Sequence, residues 1–231
     1  MRVDIVIPAL NEERALPLVL GDIPRALVRR VVVADNGSTD TTAEVARAHG
    51  AEVVYEPERG YGAACLKALA LLRQDPPDVV VFLDGDHADD PTQLGDLLAP
   101  IARGEADLVL GSRVRGALAG ALTPQQRAGN AVACGALRLL YGARYTDLGP
   151  FRAIRWDAFE ALGMVDRNYG WTVELQIKAA QRGLRHCEVP VRYRPRVGTS
   201  KVSGTLRGTL GASYKILLLL GRYALPSARA R

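Results

Sequence analysis

The stretch Pro77-Asp78-Val79-Val80-Val81-Phe82-Leu83-Asp84-Gly85-Asp86-His87-Ala88-Asp89-Asp90-Pro91 decides how the rest of the chain is read. Val79–Leu83 is a short unbroken apolar run. It lacks the alternation of a strand with one wet face, so it predicts a strand buried on both faces, as in a parallel sheet. The run ends on two acids separated by a glycine. In extended chain, residues i and i+2 point the same way, so Asp84 and Asp86 share one side and repel each other. A divalent cation relieves that repulsion. Mg²⁺ or Mn²⁺ takes one or two carboxylates and completes its shell with phosphate oxygens and water. Gly85 would let a diphosphate come close to the backbone. The competing reading is a solvated turn before the Asp90 helix cap, which an isolated Asp-x-Asp would favour. The neighbouring segments shift the balance to a site.

Similar runs occur at Val3–Ile7, Val31–Ala34, Glu52–Tyr55 and Leu108–Leu110, with helical stretches between them. One helix follows Asn11 and stops near Gly21. Another runs from Ser38-Thr39-Asp40 to Gly50, and a third covers Ala63–Arg73. A fourth has Asp90 as cap, Pro91 at its first position and Gln93 in a capping-box place. The β-α-β-α order predicts right-handed crossovers and an open α/β sheet, mostly parallel and flanked by helices. Further on, Thr123-Pro124-Gln125-Gln126 opens a helix to about Tyr141. Thr146–Ala153 reads as a loop or short strand, Thr172–Arg182 as a helix and Glu188–Tyr193 as a strand. A loop at Arg194–Gly204 precedes a final helix at Leu206–Leu225. The chain divides into a main domain, 1–204, and an appendage of helix and basic tail, 205–231.

Of 231 residues, 48% are hydrophobic and 24% charged, with a net charge of +5, which excludes a disordered chain. Cys65, Cys134 and Cys187 stand too far apart for a disulfide framework or a CxxC knuckle, and a reducing cytoplasm fits them. The N-terminus meets Asn11-Glu12-Glu13 too early for a signal peptide. The apolar run Ile216–Leu220 has five residues, far short of the roughly 20 that span a membrane. Residues 182–231 hold eleven Lys/Arg and one acid, Glu188, so an acidic body carries a basic tail that suits an anionic partner.

In an open α/β sheet, ligands bind beyond the carboxyl ends of the strands. Four strand ends deliver polar groups there: Pro8, Asn11 and Glu12; Asp35 and Asn36; Glu58-Arg59-Gly60-Tyr61-Gly62; and Asp84-Gly85-Asp86. Asp35 suits a nucleobase N–H or a ribose hydroxyl, unless it merely caps the next helix. Arg59 and Gly60 open a helix whose backbone N–H groups can face an anion. The glycines are not the dinucleotide fingerprint, which belongs after the first strand, and there is no phosphate-binding GxxxxGK[ST] loop.

Taken in order, VDIVIPALNEE, VVVADNGSTDTT, RGYGAACLKAL, VVVFLDGDHADDP, DLVLGSR, TDLGPFRA and VRYRPRVGTSKVSG resemble the family-2 glycosyltransferases over about residues 3–210, in particular the dolichyl- and polyprenyl-phosphate mannose or glucose synthases. The resemblance implies the A-type glycosyltransferase fold, a UDP- or GDP-sugar donor, Mg²⁺ or Mn²⁺, and inversion at the anomeric carbon. It places Pro8, Asn11, Glu12 and Asp35 around the nucleotide. Asp86 becomes the direct metal ligand, with Asp84 nearer the ribose and diphosphate. Arg113 lies beside the donor sugar and Arg152 on the acceptor side, while Arg196, Ser200 and Lys201 form a basic loop over the diphosphate. Where these synthases often carry a metal-holding Gln, this chain has Ala88, so either water fills the gap or His87 moves in. Asn36 stands where an Asp is commoner.

The acceptor decides whether a base is needed. A hydroxyl must lose a proton, for which Glu174 and Asp147 are the candidates. A phosphate monoester, with a second pKa near about 6, needs none and would be positioned by arginines such as Arg152 and Arg127. The final helix has two placements: at a membrane interface, presenting a lipid carrier, or packed on the sheet or on a second copy in a homodimer. Three alternatives remain. One is the same donor chemistry with a soluble hydroxyl acceptor. Another is a sugar-1-phosphate nucleotidyltransferase, which PALNEE does not favour. The last is a nucleic-acid binder, which an aromatic content of 6% argues against.

Overall fold

A computed structural model describes residues 1–114, 116–198, 215, 216 and 218–224. Seven strands form one sheet in the order β3-β2-β1-β4-β6-β5-β7. They are β1 (Val3–Ala9), β2 (Arg30–Asp35), β3 (Glu52–Tyr55), β4 (Val79–Phe82), β5 (Leu108–Ser112), β6 (Arg152–Arg155) and β7 (His186–Pro190). The helices are α1 (Leu16–Asp22), α2 (Thr42–Ala48), α3 (Tyr61–Leu72), α4 (Leu94–Ala102), α5 (Pro124–Tyr141), α6 (Trp156–Leu162) and α7 (Trp171–Gln181).

The strands are apolar on both faces because helices cover both. Val6, Val32, Val80, Phe82, Leu108 and Ile154 point into a core closed by α3, α5, α6 and α7. Their neighbours Ile5, Ile7, Val31, Val33, Val81, Val109 and Ala153 point into the core under α1, α2 and α4. Alternate residues thus serve opposite cores, which is why the runs read as continuous.

The expected parallel sheet holds except at β6, which pairs antiparallel with both β4 and β5. Its apolar content is only Ala153-Ile154, too short to be separated from a loop by pattern alone. The seven-residue α6, directly after it, went unread for the same reason. The Thr123 capping box forms as expected, with the Gln126 side chain answering the Thr123 backbone N–H at 2.9 Å. At the other capping site, Asp90 accepts from the Thr92 N–H, but Gln93 accepts from the Arg192 N–H at 2.6 Å instead of closing a box. The chain there forms a short 3₁₀ turn before α4.

Residues 215, 216 and 218–224 are helical. Leu219 and Leu220 are buried in the main core, with Ile216 and Tyr223 packed against it. Tyr141 donates its hydroxyl to the Leu220 carbonyl (2.7 Å), and Gln181 Nε2 donates to that of Tyr223 (2.9 Å). This part of the tail therefore spends its apolar face inside the same chain. The 204/205 boundary, Ser200 and Lys201 lie outside the described residues. Among the described residues, no helix is long and apolar enough to cross a membrane.

Candidate active site

Beyond the ends of β1, β2 and β4 lies a cavity of about 410 Å³. Pro8, Glu12, Arg59, Asp84, Asp86 and Arg196 line it, as do Asn36, Gly60 and Tyr61. The structure therefore gathers most of the donor-side residues expected from the sequence. Asn11 and Asp35 do another job. Asn11 Oδ1 accepts from the Thr39 N–H (2.8 Å), and Asp35 Oδ1 accepts from the Ser38 N–H (2.9 Å). The Asn11 bond and the Glu12 N–H to Thr42 Oγ1 bond (2.8 Å) tie the segment after β2 to the loop after β1, while the Asp35 bond closes the turn after β2 on itself.

Asp84 is half-buried, and the Tyr61 hydroxyl donates to its Oδ1 at 2.9 Å. Burial first, and then the neighbouring Asp86, push its carboxyl pKa up to about 7. Asp86 accepts from the Ala88 N–H at 3.0 Å, and its other oxygen lies 3.2 Å from Arg196 Nη1. Arg196 thus contacts the pair at Asp86, and Arg196 and Arg113 both act on Asp84 from a distance. Among the described residues, no three His, Cys, Asp or Glu converge on one point. The donor set is a hard oxygen pair short of positive charge. It fits Mg²⁺ or Mn²⁺ held by two carboxylates, with phosphate oxygens and water as the remaining ligands.

The wall opposite is built from glycines. A Cβ on Gly60 would run into the Arg167 carbonyl oxygen, and one on Gly62 into that of Asp166. The Ala63 N–H donates to the Arg167 carbonyl at 2.9 Å. Asn36 holds this loop from below. Its Nδ2 donates to the carbonyls of Glu56 (3.0 Å) and Glu58 (2.6 Å), and its Oδ1 accepts from the Gly60 N–H (2.8 Å). The Arg59–Gly62 loop is thus a docking seat for residues 166–170, which bring Asn168 and Tyr169 to the cavity. Sequence reasoning missed Asn168, Tyr169 and the role of Tyr61. Only the loop's glycine spacing hinted at a close backbone approach.

A second cavity, of about 160 Å³, is lined by Arg113, Gln126, Arg127, Asn130, Thr146 and Asp147. Arg113 grips Asp147 in a fork, Nε to Oδ2 and Nη2 to Oδ1, both 2.8 Å, and its backbone N–H adds a third bond of 2.7 Å. Asp147 is therefore already spent on Arg113. Nearby Asp89 is buried with neither carboxylate oxygen hydrogen-bonded, and burial holds its pKa well above the usual carboxylate range.

Three expectations are corrected. Glu174 is not presented to a substrate. It is fully buried in α7, 2.7 Å from Lys178, and it accepts from the Asp166 N–H (2.7 Å) and the Tyr223 hydroxyl (2.9 Å). Its helix begins under the core, so the charge is answered internally. Arg152 is also fully buried. It donates to the carbonyls of Leu148, Gly149, Pro150 and Thr172, stitching β6 to the loop before it and to α7. It therefore offers nothing to an acceptor. His87, in a left-handed backbone conformation (φ 60), places Nε2 2.9 Å from Asp22 and 3.2 Å from Arg194 and does not line the cavity. The gap left by Ala88 is not filled by this histidine.

An open sheet of this order, with an Asp-x-Asp at the tip of a central strand over a nucleotide-sized cavity, defines an A-type glycosyltransferase. The chain matches the Glycosyl transferase family 2 model over residues 4–163 and belongs to that family. It is 43% identical over 210 residues to an uncharacterized glycosyltransferase of Mycobacterium tuberculosis, covering 90% of this chain and 93% of the relative. It is 36% identical over 200 residues to a dolichyl-phosphate hexose transferase of Haloferax volcanii, covering 86% and 85%. Among solved structures, it resembles glucosyl-3-phosphoglycerate synthase of Mycobacterium tuberculosis in complex with Mn²⁺, UDP-glucose and phosphoglyceric acid. The TM-score is 0.74 and the identity 27%, over 95% of this chain and 80% of that one.

Proposed function

We propose that this glycosyltransferase moves a hexose from a UDP- or GDP-sugar to a polyprenyl phosphate, with inversion and with Mg²⁺ or Mn²⁺ at Asp84 and Asp86. The carrying observation is that both carboxylates nominated as bases, Glu174 and Asp147, are buried and paired, Asp147 with Arg113, while the exposed Arg127 lines the second cavity. A hydroxyl acceptor needs a base. A phosphate monoester is already largely ionised at neutral pH and needs cations to position it.

In this reading, an acceptor phosphate oxygen attacks the anomeric carbon. The bond from that carbon to the donor's diphosphate breaks, and its electron pair leaves with the nucleoside diphosphate. The chain must therefore stabilise negative charge on the leaving group. Arg196 is in place to do so, with Lys201 and Ser200 proposed to assist from the same loop. Pro8, Glu12, Asn36 and Tyr169 enclose the nucleotide, and Tyr61 fixes the Asp84 carboxyl. The metal, when bound, neutralises the diphosphate.

A second reading keeps the donor chemistry and takes a soluble hydroxyl acceptor. It is favoured by the likeness to the synthase solved with UDP-glucose and phosphoglyceric acid. Labelled UDP-glucose and GDP-mannose, each with Mn²⁺, should be offered with a short polyprenyl phosphate or with 3-phosphoglycerate. Label entering the organic phase only with the lipid supports the first reading. Label transferred only to the soluble acceptor overturns it.

A further inference from the structure

Among the described residues the longest helix, α5, presents to solvent a face with the wrong chemistry for water. Along α5, Val132 is 62% exposed and Leu139 is 85% exposed. Ala128 and Gly135 are exposed on the same face, since positions 128, 132, 135 and 139 follow the helical repeat. Leu140, next along the helix, is 39% exposed, and Val114, which lines the second cavity, is 47% exposed. Large apolar side chains gathered on one face of a helix mark an interaction surface, whereas isolated ones do not.

Charge points to the kind of partner. Residues 113–146 contain five arginines (Arg113, Arg115, Arg127, Arg138, Arg144) and no Asp or Glu. The chain has 30 Lys/Arg and 25 Asp/Glu, so the rest of it balances at 25 against 25. These 34 residues carry +5 with no acid among them, the tail at 182–231 carries +10, and the remaining residues sum to −10. Arg127, Arg138 and Arg144 are exposed. A basic, acid-free segment with an apolar helix face is the pattern of a helix lying in the interface of an anionic bilayer. A protein partner matched to apolar residues would not require every acid to be missing.

We propose that α5 and the turn before it form the surface by which this protein lies on an anionic lipid bilayer, with the second cavity opening beside the headgroups. The proposal rests on the polyprenyl-phosphate reading and adds where the lipid comes from. It also moves the membrane contact away from the C-terminal helix, whose Leu219 and Leu220 are buried in the core.

The test is flotation of the full-length protein with vesicles of phosphatidylcholine alone or mixed with phosphatidylglycerol. The wild type should float with the anionic vesicles and be released by salt. Val132→Glu and Leu139→Glu should each weaken binding about tenfold or more, as when one large apolar side chain no longer enters the membrane. Leu218→Glu, on the exposed side of the tail helix, should not. Both α5 variants should keep wild-type melting temperatures and donor binding. The proposal is overturned if the wild type stays in solution, if the α5 variants float normally, or if Leu218→Glu alone abolishes binding. It is also overturned if the wild type is a dimer that the α5 variants dissociate, since the patch then belongs to a second copy. Transfer to a short polyprenyl phosphate in detergent separates this from the acceptor reading. Loss of flotation with transfer intact removes only the docking surface. Flotation without transfer removes only the acceptor.

Discussion

Arg196 Nη1 stands 3.2 Å from Asp86 Oδ2, on the carboxylate pair that would hold a divalent ion. An arginine there supplies positive charge when the metal is away and competes with it when the metal arrives. Arg196→Gln should therefore bind Mn²⁺ more tightly than wild type in the absence of donor, by calorimetry. It should also lose about 10²-fold in kcat, the usual cost of removing one group that stabilises developing charge. Unchanged metal affinity would contradict the competition.

The raised pKa of Asp84 would make binding of the proposed metal depend on pH. Its carboxyl sits near 3.8 when unperturbed and about 7 in the fold. Between those values, the metal-free native protein holds a proton that the unfolded chain has lost, so its stability falls as pH rises through that window. The metal needs the ionised form. The rise in Tm caused by saturating Mn²⁺ should be small at pH 5.5, grow toward pH 7 and then level off. Asp84→Asn should abolish the trend. A Tm gain independent of pH would show that Asp84 is not involved.

The glycine seat predicts a packing defect. Gly62→Ala places a methyl against the Asp166 carbonyl, and overpacking of this kind costs about 1–3 kcal/mol. The loop carrying Asn168 and Tyr169 must shift, so donor affinity measured by calorimetry should fall together with Tm. Normal donor affinity would mean that the loop is not part of the donor site.

Glu174→Gln tests burial against catalysis. Lys178 loses its buried partner, and breaking such a pair costs about 3–5 kcal/mol. Chemical denaturation should show the loss. Any fall in kcat should track the fraction folded. A stable variant with no turnover would restore Glu174 as a base.

Arg127 is exposed and lines the second cavity. Arg127→Ala should raise KM for polyprenyl phosphate about tenfold, the scale of a lost charge-assisted contact, and leave donor KM and Tm unchanged. An equal effect on donor KM would assign it to the wrong substrate.

Strands β1, β2, β4 and β5 were legible because each is sandwiched between two helical layers and carries apolar side chains on both faces, and the edge strand β3 because Val53-Val54 stands between turn signals. Asp84 and Asp86 were legible because alternation along a strand fixes their common side. Arg152 and Glu174 were misread because a charged residue in sequence does not reveal whether its counterpart is a ligand or the protein itself. Carbonyls of Leu148, Gly149, Pro150 and Thr172 answer Arg152, and Lys178 and Tyr223 answer Glu174. Tyr61, Asn168 and Tyr169 went unread because the wall they form exists only once two segments about 100 residues apart meet at Gly60 and Gly62.

The bond from Tyr223 to Glu174 bears on how the protein can be cut for study. A shortened version ending before residue 215 would strip Leu219 and Leu220 from the core and remove a hydroxyl from a buried carboxylate beside the loop that bears Tyr169. The last helix is a keystone of the body, and recombinant forms meant to retain donor affinity must extend through Tyr223.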